Sequence, residues 1–164
     1  MADIMRDAQK RIEDIRRRTV KIVVRRDGSP VPDAQVELRM NRHQFLFGCD
    51  CYCANTYDTP EKEKRHKELF SGLFNYATLP FYWGQYEPVR GEKSEKRLSN
   101  MVEWCKSIDL STKGHPLVWH EILPDWLNSD HDIEKLIQER IEDLMERFGD
   151  QIDYWDLFNE ITVS

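Results

Sequence analysis

The sequence is poor in the features that mark several large classes of protein. No apolar run approaches the ~20 residues that a membrane-spanning helix needs. Lysine and arginine number 24 against 30 aspartate and glutamate residues, a formal net charge of −6, so the basic surface of a nucleic-acid-binding protein is missing. Residues 1–7 lack the apolar core of a signal peptide. We therefore expect no membrane or nucleic-acid partner, and either a cytoplasmic location or a leader that precedes this sequence.

Cysteine is scarce, with 4 residues in 164. Cys49, Cys51 and Cys53 alternate, so on a strand their side chains would share one face, and Cys105 lies in an apolar helical stripe. The C-x-C-x-C pattern lacks the C-x₂-C pairs of structural zinc sites. We expect reduced thiols and no metal or organic cofactor, with metal binding as the less favoured alternative.

The first 43 residues are predicted to form a unit separate from residues 44–164. Isoleucine, methionine and alanine form a helical stripe from Ile4 to Ile15, ahead of the basic run 16–18. Residues 19–26 and 34–40 alternate as strands do, and residues 27–32 between them are rich in turn formers. A helix followed by a β-hairpin is therefore expected here.

From residue 44 onward, short apolar segments alternate with amphipathic helical patterns. Four strands are predicted at residues 45–48, 74–78, 116–119 and 152–159. Three helices separate them: the first follows an N-cap at Thr59, the second follows Ser94, and the third runs from Asp132 to Gly149. This βαβαβαβ order is typical of a parallel sheet with helical crossovers.

Two architectures fit that order, an open doubly wound sheet and part of a (β/α)₈ barrel. No glycine-rich phosphate loop follows the first strand, so nucleotide binding has no support. Polar and aromatic residues instead gather at three strand ends, in segments 83–87, 115–121 and 159–160. Barrel enzymes carry catalytic residues at such ends, and we expect an α/β fold with the first four strands of a barrel.

Residues 154–160 are the most informative segment. They read as a buried strand that delivers Asn159 and Glu160 to its C-terminal end. Taken alone, an Asn-Glu pair at a strand end is more often a capped turn or a surface pair. In the same way, Trp119 alone would more often be a core residue. His115 alone would more often be a polar residue whose hydrogen bonds are satisfied within the fold. Their common order and phase along the strands favour a functional site.

These segments resemble glycoside hydrolase family 10, the endo-β-1,4-xylanases. The third-strand motif of that family is similar to residues 113–120 (KGHPLVWH) and 123–127 (LPDWL), and its fourth-strand motif to residues 155–160 (WDLFNE). Residues 45–48, 74–78 and 83–88 resemble its first two strand regions. The resemblance implies the N-terminal half of a retaining (β/α)₈ barrel, with the preceding hairpin as part of an appended β-sandwich.

The resemblance also implies roles for individual residues. Glu160 would be the general acid/base, and Asn159 would hydrogen-bond the 2-hydroxyl of the sugar being cleaved. His115 and Trp119 would shape the subsite beside that bond, with His120 supporting them. Aromatic faces stack on pyranose rings, so the three tryptophans Trp83, Trp119 and Trp126 suit sugar binding.

Two departures from the family pattern bear on activity. Residues 79–82 (LPFY) replace the carboxylate, amide and lysine that bind sugar hydroxyls in the family. The nucleophilic glutamate belongs to the seventh strand and is expected beyond residue 164. Asp156 would lie about 13 Å from Glu160 along an extended strand at ~3.3 Å per residue, too far for a retaining pair, and Glu121 matches no catalytic position.

The predicted function is therefore that of a xylanase-like glycoside hydrolase acting on a β-1,4-linked polysaccharide or oligosaccharide, inactive without its nucleophile. Two rivals remain: a non-catalytic carbohydrate-binding remnant, and a half-barrel that self-associates through its open edges.

Overall fold

The computed structural model describes residues 2–162, with side chains from residue 3 onward. The chain divides into two compact units, Met1–Met40 and Asn41–Ser164, and each is described by itself. Within the described residues, every helix is too short or too polar to cross a bilayer. The predicted boundary at residue 43 and the accessory β-sandwich stay predictions.

The first unit contains helix α1 (Ala2–Arg16) and two antiparallel strands, β1 (Arg25–Arg26) and β2 (Ser29–Pro30). Asp27 and Gly28 join these strands, both with positive φ, at 50° and 82°, as a tight two-residue hairpin turn requires. Only the end of the predicted strand 19–26 forms a strand, whereas residues 34–40 form none and β2 lies inside the predicted turn 27–32. The apolar side chains of the two predicted strands are exposed, so no packed face extends the pairing beyond the turn.

The second unit alternates strands and helices as predicted, except that a short helix not predicted, Trp83–Tyr86, follows its second strand. In chain order it contains β3 (Gly48–Asp50), α2 (Pro60–Leu73), β4 (Tyr76–Pro80), α3 (Trp83–Tyr86), α4 (Glu95–Ser107), β5 (Ser111–His115), α5 (Ile133–Phe148) and β6 (Tyr154–Trp155). The strands form one sheet in the order β3-β4-β5-β6, and all three pairings are parallel. The predicted fold class, a partial (β/α)₈ barrel, is confirmed.

The strands are displaced from their predicted positions. Strand β5 occupies the polar stretch Ser111–His115, where Thr112 and Gly114 are buried, and ends before the apolar residues 116–119. Pro116 has no amide hydrogen with which to continue the ladder. Strand β3 begins where the predicted strand 45–48 ends, and Phe45 and Phe47 are exposed. An apolar run was a good marker of each strand region but a poor marker of its bounds.

All three predicted cap residues are at the N-cap positions of their helices, and two of them make the cap hydrogen bond. The Thr59 hydroxyl accepts a hydrogen bond from the Lys62 amide at 3.3 Å, and Asp132 accepts one from the Lys135 amide at 3.2 Å. Ser94 precedes α4 but its side chain makes no cap bond.

The core lies between the sheet and its helices. Helix α4 contributes Leu98, Met101, Val102 and Cys105, and helix α5 contributes Leu144 and Phe148, all buried. They pack against apolar strand residues such as Ala77 and Leu79. Both helical stripes were predicted, and their burial holds the strand ends in fixed relative positions.

Gly114 on β5 lies in close contact with a side chain of the neighbouring strand β6. A Cβ at this position would lie inside the van der Waals surface of the Trp155 ring on β6. Gly114 pairs with Trp155 in the register of the two strands, so the indole covers the glycine directly.

We expect Gly114→Ala to destabilise the chain by ~1–3 kcal/mol, the usual cost of overpacking a tight core. The control is Gly72→Ala near the end of α2, where a Cβ meets nothing within 4 Å and alanine favours the helix by up to ~1 kcal/mol. Urea unfolding of both variants measures the difference. Equal stability of the two variants would contradict the packing described for Trp155.

Candidate functional site

Backbone pairing between the third and fourth sheet strands continues past their regular parts. The Asp156 amide donates to the Gly114 carbonyl at 3.0 Å, and the Val118 amide donates to the Leu157 carbonyl at 3.0 Å. The Asn159 amide then donates to the Val118 carbonyl at 3.1 Å. This parallel ladder brings the Asn159–Glu160 segment alongside the backbone next to Trp119, at the C-terminal edge of the sheet.

The carboxylate of Asp156 contacts the side chains of Lys113 and His115 at this edge. Its Oδ2 lies 2.8 Å from His115 Nδ1 and 2.8 Å from Lys113 Nζ. Burial alone would raise the pKa of Asp156, but the hydrogen bonds from Lys113 and His115 outweigh burial and hold that pKa below its ordinary value. Ionised Asp156 therefore accepts the Nδ1 proton of His115 and leaves Nε2 available for another partner.

Tyr82 lies at the centre of an aromatic cluster on the same edge. Its ring centroid is 5.6 Å from that of His115 and 5.4 Å from that of Trp119. Its hydroxyl is 3.1 Å from the hydroxyl of Tyr52. Burial, followed by this hydrogen bond, raises the pKa of Tyr52, so Tyr52 stays a neutral phenol. We call Tyr52, Tyr82, His115 and Trp119 the aromatic cluster.

Trp119 carries an unused hydrogen-bond donor. Its Nε1 is buried and has no hydrogen-bond partner among the described residues. A buried polar group without a partner costs free energy, and such groups are few in native structures. Trp155 Nε1 on β6 is in the same state.

Glu160 is exposed, and its φ of 51° is in the left-handed region, which non-glycine residues adopt rarely and often at functional sites. Asn159 before it is half-buried. The segment 154–160 was expected to be buried, yet Tyr154, Leu157 and Phe158 are all at least half exposed.

The structure does not bring two of the predicted residues to the aromatic cluster. Trp83 is only 5% exposed, and its Nε1 donates to Glu87 Oε2 at 3.2 Å. Its ring lies 5.9 Å from that of Trp126, so it packs inside the fold rather than offering an open face. His120 is exposed and lies 3.3 Å from Glu121, so its support of the cluster stays a prediction.

Sequence reasoning missed Asp156, Tyr82 and Tyr52 as site residues. The strand register could have found Asp156, because the pairing of Gly114 with Trp155 places His115 beside residue 156. The tyrosines had no such signal, since Tyr52 lies in a turn after β3 and Tyr82 in a segment that departs from the family pattern.

The cysteines do not form a common face. Cys51 is buried, whereas Cys49 and Cys53 are exposed, because β3 ends at Asp50 and the chain then turns. Burial raises the pKa of Cys51 and of Cys105 to about 12, so both are thiols. Among residues 3–162, no three histidine, cysteine or carboxylate side chains are placed to hold a metal ion.

Comparison with known proteins agrees with this geometry. The family model described as glycosyl hydrolase family 10 matches residues 41–164. The anti-sigma-I factor RsgI6 of Acetivibrio thermocellus is 27% identical over 161 residues, which is 94% of this chain and 20% of that protein. Endo-1,4-beta-xylanase 2 of Arabidopsis thaliana is 24% identical over 82% of this chain and 13% of its own length.

The fold has solved relatives as well. The crystal structure of xylanase 10B from Thermotoga petrophila RKU-1 in complex with xylobiose superposes with a TM-score of 0.60 and 22% identity, covering 73% of this chain and 37% of that one. The chain belongs to glycosyl hydrolase family 10, as the sequence motifs predicted. It spans a fifth or less of the length of the two curated relatives named above.

We expect Asp156→Asn to lower the free energy of unfolding near pH 7 and to have little effect in acid. The folded pKa of Asp156 lies below its unfolded value of ~3.9, so its stabilising contribution is present above that value and is lost as the pH falls through the folded pKa. Urea unfolding at pH 7 and at about pH 2 measures the difference. Asp125→Asn, an exposed residue in the loop after β5, is the control, and an Asp156 effect that persists unchanged in acid would contradict the pairing.

Proposed function

We propose that this chain carries the sugar-binding and acid/base half of a family 10 glycoside hydrolase site, for a β-1,4-linked polysaccharide or oligosaccharide. The observation that carries the proposal is the ladder that aligns Asn159–Glu160 with Trp119, next to the paired His115 and Asp156. Glu160 protonates the leaving oxygen, Asn159 binds the 2-hydroxyl, and the aromatic cluster stacks on the ring.

His115 is well suited to bind a sugar hydroxyl. Asp156 fixes its Nδ1 at 2.8 Å, which orients the imidazole and presents Nε2 away from the carboxylate. The side chain of His115 is 16% exposed, so one edge of the ring remains open. The ring of Tyr82 lies beside it, with centroids 5.6 Å apart, and adds an aromatic face to the same edge.

Sugar binding is tested with xylohexaose by calorimetry, using the whole chain. We expect Trp119→Phe to weaken binding by about 2–10-fold, in line with the ~0.5–1.5 kcal/mol of an aromatic contact. Trp104→Phe is the matched control, since Trp104 on α4 packs against His66 and Phe70 and lies outside the aromatic cluster. Equal loss in both variants, or no binding by the unmodified chain, would contradict the proposal.

Turnover by this chain alone is expected to be negligible. A retaining glycosidase needs two carboxyl groups ~5–5.5 Å apart, and Asp156 is held by Lys113 and His115 four residues before Glu160. Reducing-sugar release from xylan should equal that of Glu160→Gln. Release above that level, abolished by the substitution, would show that a second carboxylate is present after all.

A second candidate function is sugar binding without hydrolysis. The observation in its favour is that a relative matching 94% of this chain is named an anti-sigma-I factor rather than an enzyme. Residues 79–82, which replace charged sugar contacts of the family, fit the same reading. Binding of xylohexaose with no turnover, even when the chain is mixed with a polypeptide that supplies the remaining barrel strands, would favour it.

We also propose self-association through the open sides of the sheet. Strands β3 and β6 are the two edges of the described sheet, and strand edges readily pair with another chain. An apolar groove runs between β3 and α2, lined by Leu69, Phe70, Leu73 and Phe74, and Leu73 is 70% exposed.

Light scattering at micromolar concentration should therefore report species larger than a monomer. Leu73→Lys should shift the distribution toward the monomer, because a charge in the groove opposes burial of the apolar surface. Val89→Lys changes the charge equally at an exposed site away from the groove and should have no such effect. A monodisperse monomer of the unmodified chain would contradict the proposal.

A further inference from the structure

Helix α5 carries an arginine in the core of the second unit. Arg140 is 6% exposed, and burial lowers the pKa of its guanidinium to about 10, so it is charged at neutral pH. Removing such a charge from water is costly unless strong hydrogen bonds compensate. Among the described residues, Arg140 takes part in no ion pair with a carboxylate.

The compensation comes from two backbone carbonyls. Arg140 Nε donates to the Leu117 carbonyl at 3.0 Å, and its Nη2 donates to the Phe81 carbonyl. Phe81 directly follows β4, and Leu117 lies two residues after β5. One guanidinium therefore ties together the segments that leave two neighbouring strands.

Those two segments carry two members of the aromatic cluster, Tyr82 and Trp119. Tyr82 follows Phe81, and Trp119 lies two residues after Leu117. The Phe81 amide donates to the His115 carbonyl at 2.7 Å, so at Phe81 the sheet ladder ends and the carbonyl turns to Arg140. The separation between the Tyr82 and Trp119 rings thus depends on where Arg140 holds both backbones.

The rest of the guanidinium is enclosed by rings. It lies 5.5 Å from the centroid of Trp83 and 5.6 Å from that of Tyr86, where cation–π attraction is effective. Its Nη1 has no partner among the described residues and no surface open to solvent. A soluble anion therefore cannot reach this nitrogen, so Arg140 does not serve as an anion-binding residue.

We propose that Arg140 is a positioning residue for the sugar-binding site, acting through the Phe81 and Leu117 carbonyls to set the spacing of Tyr82 and Trp119. The proposal rests on the proposed function for its ligand but not for its geometry. Arginine suits this task because its planar fork donates to two acceptors at fixed angles, whereas lysine offers a point charge.

Arg140→Lys tests the proposal because it keeps the charge and removes the fork. We expect a changed near-ultraviolet circular dichroism spectrum well below the unfolding temperature, and about tenfold weaker binding of xylohexaose. The spectral change should disappear in a Trp119→Phe background, since it arises from the Tyr82–Trp119 pair. An unchanged spectrum, or a change that persists without Trp119, would overturn the proposal.

Leu144→Ala is the matched control for general destabilisation. Leu144 is fully buried one turn further along α5, and its truncation should cost ~2–5 kcal/mol. It should lower the unfolding temperature while leaving the spectrum and the affinity below that temperature unchanged. Equal spectral change in Leu144→Ala would mean that Arg140 acts only through stability.

A second measurement needs no substitution of Arg140. Trp119→Phe should shift the Arg140 Nε–H resonance in a nitrogen–proton correlation spectrum, and Trp104→Phe should not. An unmoved Arg140 resonance would overturn the proposal even if Arg140→Lys fails to fold. If the unmodified chain binds no xylohexaose, the proposed function fails, while the spectral and resonance tests still decide the role of Arg140.

Discussion

The parallel backbone pairing of residues 114–118 with residues 155–159 is the interaction on which the rest of the site depends. It aligns His115 with Asp156 and brings the Asn159–Glu160 segment to Trp119. These residues lie on strands or in the segments that directly follow them, and none lies on the helices that pack against the sheet. Without this ladder, the ionised Asp156 would lack its hydrogen-bonded partners on β5, and Asn159 would have no fixed neighbour.

Core side chains pack against the strands that form this ladder and stabilise it. Trp155 lies directly on Gly114 and packs edge-on against Phe81, with ring centroids 4.8 Å apart. Phe81 in turn contacts Phe148 of α5 at 5.2 Å. Packed rings of this kind have few alternative arrangements, because protein interiors are as dense as organic crystals. The same residues that fill the core therefore fix the strand ends that carry the polar groups.

The sequence was sufficient to predict the βα order, two helix caps, the helical stripes and the family. Periodicity and capping residues report local structure, and these elements are local. Strand bounds were harder, because β5 is polar and its burial at Thr112 and Gly114 comes from packing against other strands. Trp83 illustrates a similar limit. A tryptophan beside a motif suggests a sugar platform, and only the fold shows that Glu87, Trp126 and Arg140 enclose it.

The bond between His115 and Asp156 joins residues 41 positions apart in the chain. Closing a loop of that length costs entropy before any contact rewards it, and contacts distant in sequence form late in folding. Helix α5, whose hydrogen bonds are local, can form before that pairing does. The site proposed at this edge therefore depends on the docking of β6 against β5.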